Sequence, residues 1–185
     1  MRIQLLSKRY AQAIFGLALE NKILEEVKND MLLVNSVLDE NRVLRRLMAN
    51  PVLDGYKKIR VLNKLFEGKV QKLSLKFLQL ITRKGREQYI SFICKAFIEI
   101  YKEYKNIVDV QFTTAHKIDE NLRKTMLKKL QEFTEKHLEV SENIDKEIIG
   151  GFKLNFADYQ YDASIKTQLK RLGKEFSKNL YVKEY

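Results

Sequence analysis

Residues 107–114 read Ile-Val-Asp-Val-Gln-Phe-Thr-Thr, and the pattern of the chain changes at this stretch. Apolar and polar side chains alternate along it, which is typical of a half-buried strand. Every segment before it, from Ile3 to about Tyr104, shows the spacing of amphipathic helices instead. The sequence therefore predicts a mainly α protein, with a helical domain over residues 1–105 followed by a small α+β domain over residues 106–185.

The first domain is expected to be a six-helix bundle with short loops. The expected helices cover about residues 3–20, 22–40, 41–49, 55–66, 70–84 and 86–104. Asn50-Pro51 ends the third helix because the residue before a proline avoids the helical region. Asp54 is expected to cap the fourth helix, and Gly85 is expected to end the fifth.

The second domain is expected to combine four strands with two helices. After the strand at 107–114, a helix should run from Asp119 to about His137, with His116 at the strand end before it. Further strands are expected over about 139–145, 152–156 and 159–161. The last helix should begin after Asp162 or Ser164. Phe152, Leu154 and Phe156 fall on one face of their strand, where a two-layer domain needs its core.

Composition and charge limit the classes of function. The chain has 185 residues, of which 7 are glycine and one is proline, so an all-β sandwich with its frequent turns is excluded. Residues 1–105 contain 21 basic and 11 acidic side chains, a net charge of +10, whereas residues 106–185 have a net charge of +1. Such an asymmetry suggests an acidic partner for the first domain, whether protein, nucleic acid or membrane surface.

The chain is poor in chemically reactive groups. Neither His116 nor His137 stands at a metal-ligand spacing, and Cys94 falls in the apolar stripe of the sixth helix. A single cysteine excludes an internal disulfide, which favours a reducing, cytoplasmic compartment. No apolar run is long enough for a membrane helix or a signal peptide. We therefore expect no enzyme activity, no metal and no cofactor.

The first predicted helix has an unusually wide apolar face. At 100° per residue its apolar arc covers about 200°, twice the stripe that a helix needs to bury one side. The fifth helix is similar, with Leu73, Phe77, Leu78, Leu80 and Ile81 in one broad arc. Both helices either lie at the centre of the bundle or form a groove between them that accepts a helix of another protein.

An RNA-binding protein is the alternative function. The basic first domain and the aromatic residues on neighbouring strands, Phe152, Phe156, Tyr159 and Tyr161, superficially indicate a stacking surface. Against it, Phe152, Leu154 and Phe156 share one face, where the domain needs its core. No recognised RNA-binding motif accompanies these aromatic residues.

An ordered set of motifs resembles the delta subunit of bacterial F-type ATP synthases, which is homologous to the mitochondrial oligomycin-sensitivity-conferring protein. The motifs are Arg9-Tyr10-Ala11-Gln12-Ala13-Ile14-Phe15, Asn50-Pro51 with Lys57-Lys58, Phe77-Leu78-Gln79-Leu80-Ile81 with Gly85-Arg86, Ile149-Gly150-Gly151-Phe152, and Asp162-Ala163-Ser164-Ile165 with Leu169. Each motif alone is weak, but together they span nearly the whole chain in the family's order.

The resemblance implies a non-catalytic subunit of the peripheral stalk at the cytoplasmic face of the bacterial inner membrane. It would join the catalytic head to the b subunits and hold the head against rotor torque during proton-driven ATP synthesis. In the family, the N-terminal helix of an alpha subunit lies between the first and fifth helices. The matching positions here are Tyr10, Ala13 and Leu80, and helical spacing adds Leu6, Ile14, Leu17 and Ile81. The b subunits would contact the last helix at Leu169, Leu172 and Phe176.

Overall fold

The computed structural model describes residues 2–115, 131, 136–156 and 159–177. The chain divides into two compact units, Met1–Tyr104 and Lys105–Tyr185. Across the described residues the protein is mainly helical and contains one small four-stranded sheet.

Residues 2–104 form helices α1 to α6, connected by short loops and one 3-10 turn. Their bounds are α1 (Arg2–Glu20), α2 (Leu24–Glu40), α3 (Arg42–Ala49), α4 (Gly55–Phe66), α5 (Lys72–Arg83) and α6 (Ile90–Tyr104). The expected cap of α4 is confirmed, since the Asp54 carboxylate accepts a hydrogen bond of 3.1 Å from the Tyr56 backbone N–H. Gly85, which ends α5, has a φ of +66°, as expected of a helix-ending glycine.

Two helix starts differ from the prediction because tertiary contacts set them. Helix α5 begins at Lys72 and is capped from another helix. The carboxylate of Asp30, on α2, accepts hydrogen bonds from the Gln71 backbone N–H (2.9 Å) and from the Ser74 hydroxyl (2.6 Å). Helix α6 begins at Ile90, after a 3-10 turn over Glu87–Tyr89, in which Glu87 forms an ion pair with Lys58 of α4.

The core of the first unit is apolar and draws on every one of its helices. The sixth helix faces it with the expected stripe, since Ile90, Ile93, Cys94 and Phe97 are fully buried. The core also contains Ala11, Ile14, Ala18, Val27, Met31, Val34, Leu44, Met48, Leu62, Phe66, Leu78 and Ile81. Beside it lies the buried amine of Lys58, which donates to the Met48 backbone oxygen at 3.1 Å and pairs with Glu87.

The second unit contains strands β1 (Ile107–Thr114), β2 (His137–Ile144), β3 (Phe152–Phe156) and β4 (Tyr159–Asp162), followed by helix α7 (Ile165–Ser177). The strand order is β2-β1-β3-β4. Strands β1 and β2 are parallel, whereas β3 is antiparallel to both β1 and β4.

The structure corrects the position of His137. We expected it at the end of a helix, but it opens β2, because its backbone N–H joins the ladder by donating to the Asn106 oxygen at 2.9 Å. Most of the helix expected from Asp119 onward, together with His116, lies outside the described residues.

The start of α7 is fixed by a local hydrogen-bond network. The Asp162 carboxylate accepts from the Ser164 backbone N–H and from the Thr167 hydroxyl, both at 2.9 Å. The bonds to Ser164 come first among the causes that lower the pKa of Asp162 to about 2, and the nearby Lys153 ammonium contributes further. Gly151, at a φ of +75°, lies against this turn, and a Cβ there would be 2.3 Å from the Ala163 backbone oxygen. Only glycine fits that position without a backbone shift.

Candidate helix-binding groove

The wide apolar arc of α1 serves two surfaces. Ser7, Ala11, Ile14 and Ala18 lie on one side of it and are buried in the core. On the other side Leu6 and Tyr10 are half-buried, while Ala13 and Leu17 are exposed. The helix therefore lies in the core, as the first interpretation expects, and it also leaves apolar surface along one flank. Whether that flank accepts a helix of another protein stays a prediction.

The exposed flank of α1 borders an open concavity of about 480 Å³. Its lining residues are Leu5, Leu6, Arg9, Tyr10 and Ala13 of α1, together with Arg86 from the segment after α5. Most of its lining surface is apolar, and Arg9 and Arg86 are its two cationic residues. No residue of α5 lines the concavity itself, but Tyr10 in its lining contacts Phe77 of α5. We therefore group the concavity with the exposed Leu17 of α1 and Leu80 of α5 and call this set the α1–α5 groove.

Tyr10 is held in place from two directions. Its ring lies 6.5 Å from the ring of Phe77 on α5, with an interplanar angle of 58°. The Arg86 guanidinium donates a hydrogen bond of 2.7 Å to the Tyr10 hydroxyl and lies 5.4 Å from the centre of its ring. A side chain with this many contacts loses little further freedom when a partner binds, which favours affinity.

The structure divides the predicted groove residues into two groups. Leu80 is 47% exposed on α5, and Leu6, Tyr10, Ala13 and Leu17 retain accessible surface on α1. Ile14 and Ile81 are fully buried, so neither offers surface to a partner. We assigned them to the groove from helical spacing alone. Residues on one helix face can differ by only about 40° in direction, which is too little to separate a buried position from an exposed one.

Three lining residues were missed from the sequence. Leu5 and Arg9 lie four residues apart beside Leu6 and Tyr10, so a wider sector of α1 would have included them. Arg86 lies outside the predicted fifth helix, and its contact with Tyr10 depends on the turn at Gly85. No periodicity in the sequence indicates that contact.

The described residues contain neither a reactive thiol nor a grouped set of metal ligands. Cys94 is buried with its sulfur 3.7 Å from that of Met31, and burial, followed by the charge of Asp39, raises the pKa of its thiol to about 12. A thiol that stays protonated is a poor nucleophile. Within the described ranges no three His, Cys, Asp or Glu side chains are grouped to hold a metal ion. Nor is any helix there long and apolar enough to cross a membrane.

A second apolar surface lies on α7. Ile165, Leu169, Leu172 and Phe176 are 42%, 55%, 48% and 87% exposed, and their spacing puts them on one side of the helix. Three of them are the residues predicted to contact the b subunits. The strands carry further exposed aromatic side chains, since Tyr159 and Tyr161 point largely to solvent.

Comparisons with known proteins agree with this architecture. The family model "ATP synthase delta (OSCP) subunit" matches residues 6–176. The chain is 35% identical over 172 residues to the ATP synthase subunit delta of Cytophaga hutchinsonii, covering 93% of this chain and 94% of that protein. It is 30% identical to the ATP synthase subunit delta of Christiangramia forsetii, covering 95% of each.

A solved structure supports the fold. One chain of the Toxoplasma gondii mitochondrial ATP synthase hexamer superposes with a TM-score of 0.71 at 21% identity, covering 95% of this chain and 99% of that chain. These similarities extend over both units, and they give no support to the alternative of an RNA-binding protein.

Proposed function

Because the chain belongs to the ATP synthase delta (OSCP) subunit family, we propose that its first unit binds the N-terminal helix of an alpha subunit and its second unit binds the b subunits. The protein is a non-catalytic peripheral-stalk subunit of F-type ATP synthase. In the proposed arrangement α1 to α6 act as one bundle on the catalytic head, at the cytoplasmic face of the bacterial inner membrane. The protein itself then meets the membrane only through the complex.

The observation that supports head binding most strongly is the fixed Tyr10 in the largely apolar lining of the groove. An amphipathic helix buries its apolar side chains in such a groove, and each Å² of apolar surface removed from water contributes roughly 25 cal/mol. Arg9 and Arg86, the two cationic residues of the lining, favour acidic residues on the flanks of the incoming helix. We therefore expect burial to provide most of the affinity and charge to set the orientation.

The exposed stripe of α7 supports the proposed contact with the b subunits. From Ile165 to Phe176 the stripe spans eleven residues, or about 16.5 Å at the rise of an α-helix. Four apolar side chains over that length are enough for one helix to pack along α7 with ridges in grooves. A stalk helix of matching apolar periodicity would cover them.

Head binding is tested by replacing groove residues that are accessible. Tyr10→Ala and Leu80→Ala should each weaken binding to the isolated catalytic head by about 10- to 100-fold, as loss of a central interface side chain does. Leu32→Ala is the matched control, because Leu32 is 44% exposed on α2 and does not line the concavity. Unchanged affinity in both groove variants, each shown to be folded, would contradict the groove assignment.

Stalk binding is tested in the same way on α7. The double variant Leu169→Ala/Phe176→Ala should lose most of its affinity for the b subunits while keeping its affinity for the head. Phe92→Ala, which removes a side chain that is 53% exposed on α6, should keep both. If the α7 variant still bound the b subunits normally, their contact would have to lie elsewhere.

A further inference from the structure

The excess positive charge of the first unit is concentrated on two helices. Residues 55–86, which comprise α4, α5 and their connections, contain ten basic side chains and one acidic one, Glu67. Their net charge of +9 compares with +1 for the remainder of residues 1–105. The positive charge of this unit is therefore concentrated in residues 55–86 and is not spread over its whole surface.

The basic side chains lie opposite the core. On α5, Lys72, Lys76 and Arg83 fall within about 40° of one another and oppose the side that buries Phe77, Leu78 and Ile81. On α4, Lys57, Arg60 and Lys64 likewise oppose the side that buries Leu62 and Phe66. All six are exposed. We call this set of six residues the outer basic face.

The two helices present this face together. They pack side by side, and the Gln79 side-chain amide on α5 donates a hydrogen bond of 2.9 Å to the Asn63 side-chain oxygen on α4. Adjacent packed helices have axes about 8–10 Å apart. The outer basic face therefore extends over two adjacent helices that pack against each other.

The charges of the outer basic face are not neutralised within the described part of the chain. None of its six side chains forms an ion pair there, whereas Arg45 and Lys95, elsewhere in the same unit, both approach Asp39 at 3.9 Å. Like charges four residues apart on a helix destabilise it. The six cations therefore lower the stability of α4 and α5. Since they do not serve folding, we look for their role in binding.

We propose that the outer basic face is a docking surface for an acidic helical segment of another subunit in the same assembly. On α5 the face extends over eleven residues, about 16.5 Å. A partner helix with carboxylates every three to four residues along one side would place several of them within reach. This surface shares no residue with the α1–α5 groove, although Leu80 of the groove lies between Lys76 and Arg83 along α5. It rests on the proposed function only in taking its partner from the same complex.

The composition of the face favours protein over other polyanions. Tyr56 is the only exposed aromatic residue on α4 and α5, so the face has few rings on which bases could stack. The exposed large apolar side chains on α4 and α5 are Tyr56 and Leu80, fewer than an interfacial helix uses to enter a membrane.

A peptide titration of the full chain tests the chemistry of the face. The probe is an alanine- and glutamine-based helical peptide with glutamates four, seven and eleven residues after the first. It should move the amide signals of α4 and α5 and leave that of Tyr10 in place. Lys72→Gln/Lys76→Gln should lower its affinity about fivefold, and 300 mM salt should lower it further. Arg42→Gln/Arg46→Gln removes two exposed charges from α3 and should leave the affinity unchanged.

Other outcomes of the titration would overturn the proposal. They are equal affinity for a scrambled peptide of the same composition, an equal loss in the α3 control, or tighter binding of an oligouridine or of phosphatidylserine vesicles. In the assembled ATP synthase, carbodiimide should join Lys72 or Lys76 to a carboxylate of another subunit. Failure to find such a bond, while Tyr10→Ala still weakens head binding, would remove this surface and leave the groove intact.

Discussion

Helices α1 and α7 are both amphipathic, but they use their apolar residues differently. Helix α1 buries Ile14 and Ala18 in the core of its own unit and leaves only one flank accessible. Helix α7 leaves Leu169, Leu172 and Phe176 about half exposed or more. The apolar pattern of α1 thus reflects mainly packing in the core, whereas that of α7 leaves most of its apolar side chains on the surface.

The largest expected difference between the two units concerns the burial of their ion pairs. Lys58 and Glu87 are buried in the first unit, with 2% and 11% of their side chains exposed, whereas Lys166 and Glu147 pair at 3.2 Å on the surface of the second. Glu87→Ala should cost about 3–5 kcal/mol of unfolding free energy because it leaves a buried cation without its counter-charge. Glu147→Ala should cost about 0–1 kcal/mol. Urea unfolding of the full chain, followed by amide signals from each unit, measures both.

A double variant serves as the control for the buried pair. Lys58→Met/Glu87→Leu removes both charges together and should recover much of the stability lost in Glu87→Ala, since apolar side chains replace the pair. Similar small losses in Glu87→Ala and Glu147→Ala would show that the two units do not differ in this respect.

Apolar truncations should separate folding from binding. Ile14→Ala in α1 should destabilise the first unit by about 2–5 kcal/mol, because it opens a cavity in a packed core. Leu172→Ala in α7 should change stability by no more than about 0.5 kcal/mol. Thermal unfolding of the full chain, followed separately for each unit, gives both values. A large loss of stability in Leu172→Ala would mean that α7 holds its own unit together and that its stripe is core.

The smallest expected effect concerns the start of α7. Its hydrogen bonds to Ser164 and Thr167 lower the pKa of Asp162 from 3.8 to about 2. A lowered pKa in the folded state stabilises the second unit above pH 3.8, and the stabilisation is lost as the pH falls toward 2. Asp162→Asn should therefore be less stable than the natural protein at pH 6. The difference should shrink when the urea midpoint is measured at pH 3, and a difference that does not change with pH would contradict this account.

Much of the fold could be predicted because local signals and tertiary structure agree. The alternating stretch 107–114 is strand β1, the Asp54 cap and the Gly85 stop occur as expected, and Cys94 is in the core. The start of α5 could not be predicted, since its cap comes from Asp30, more than forty positions earlier in the chain. His137 was misplaced because its backbone pairs with β1, which is distant in sequence.

The groove was predictable in outline and not in detail. The wide apolar arc on the first helix indicated the helix that lines the concavity, whereas no residue of the fifth helix lines it. An apolar arc also does not show which half of it the core covers. Burial of Ile14 and Ile81, and the contact of Arg86 with Tyr10, depend on how α1 packs against α5 and α6. This packing depends on the whole unit, so the residue type at a single position does not reveal it.

The most direct test of this account is an NMR titration of the full chain with a peptide spanning the alpha subunit's N-terminal helix. We predict saturable shifts centred on Tyr10, Ala13, Leu80 and Arg86, with the signals of α7 unchanged. Shifts confined to other helices, or no binding by a chain whose spectrum shows it to be folded, would contradict the assignment of the α1–α5 groove to the catalytic head.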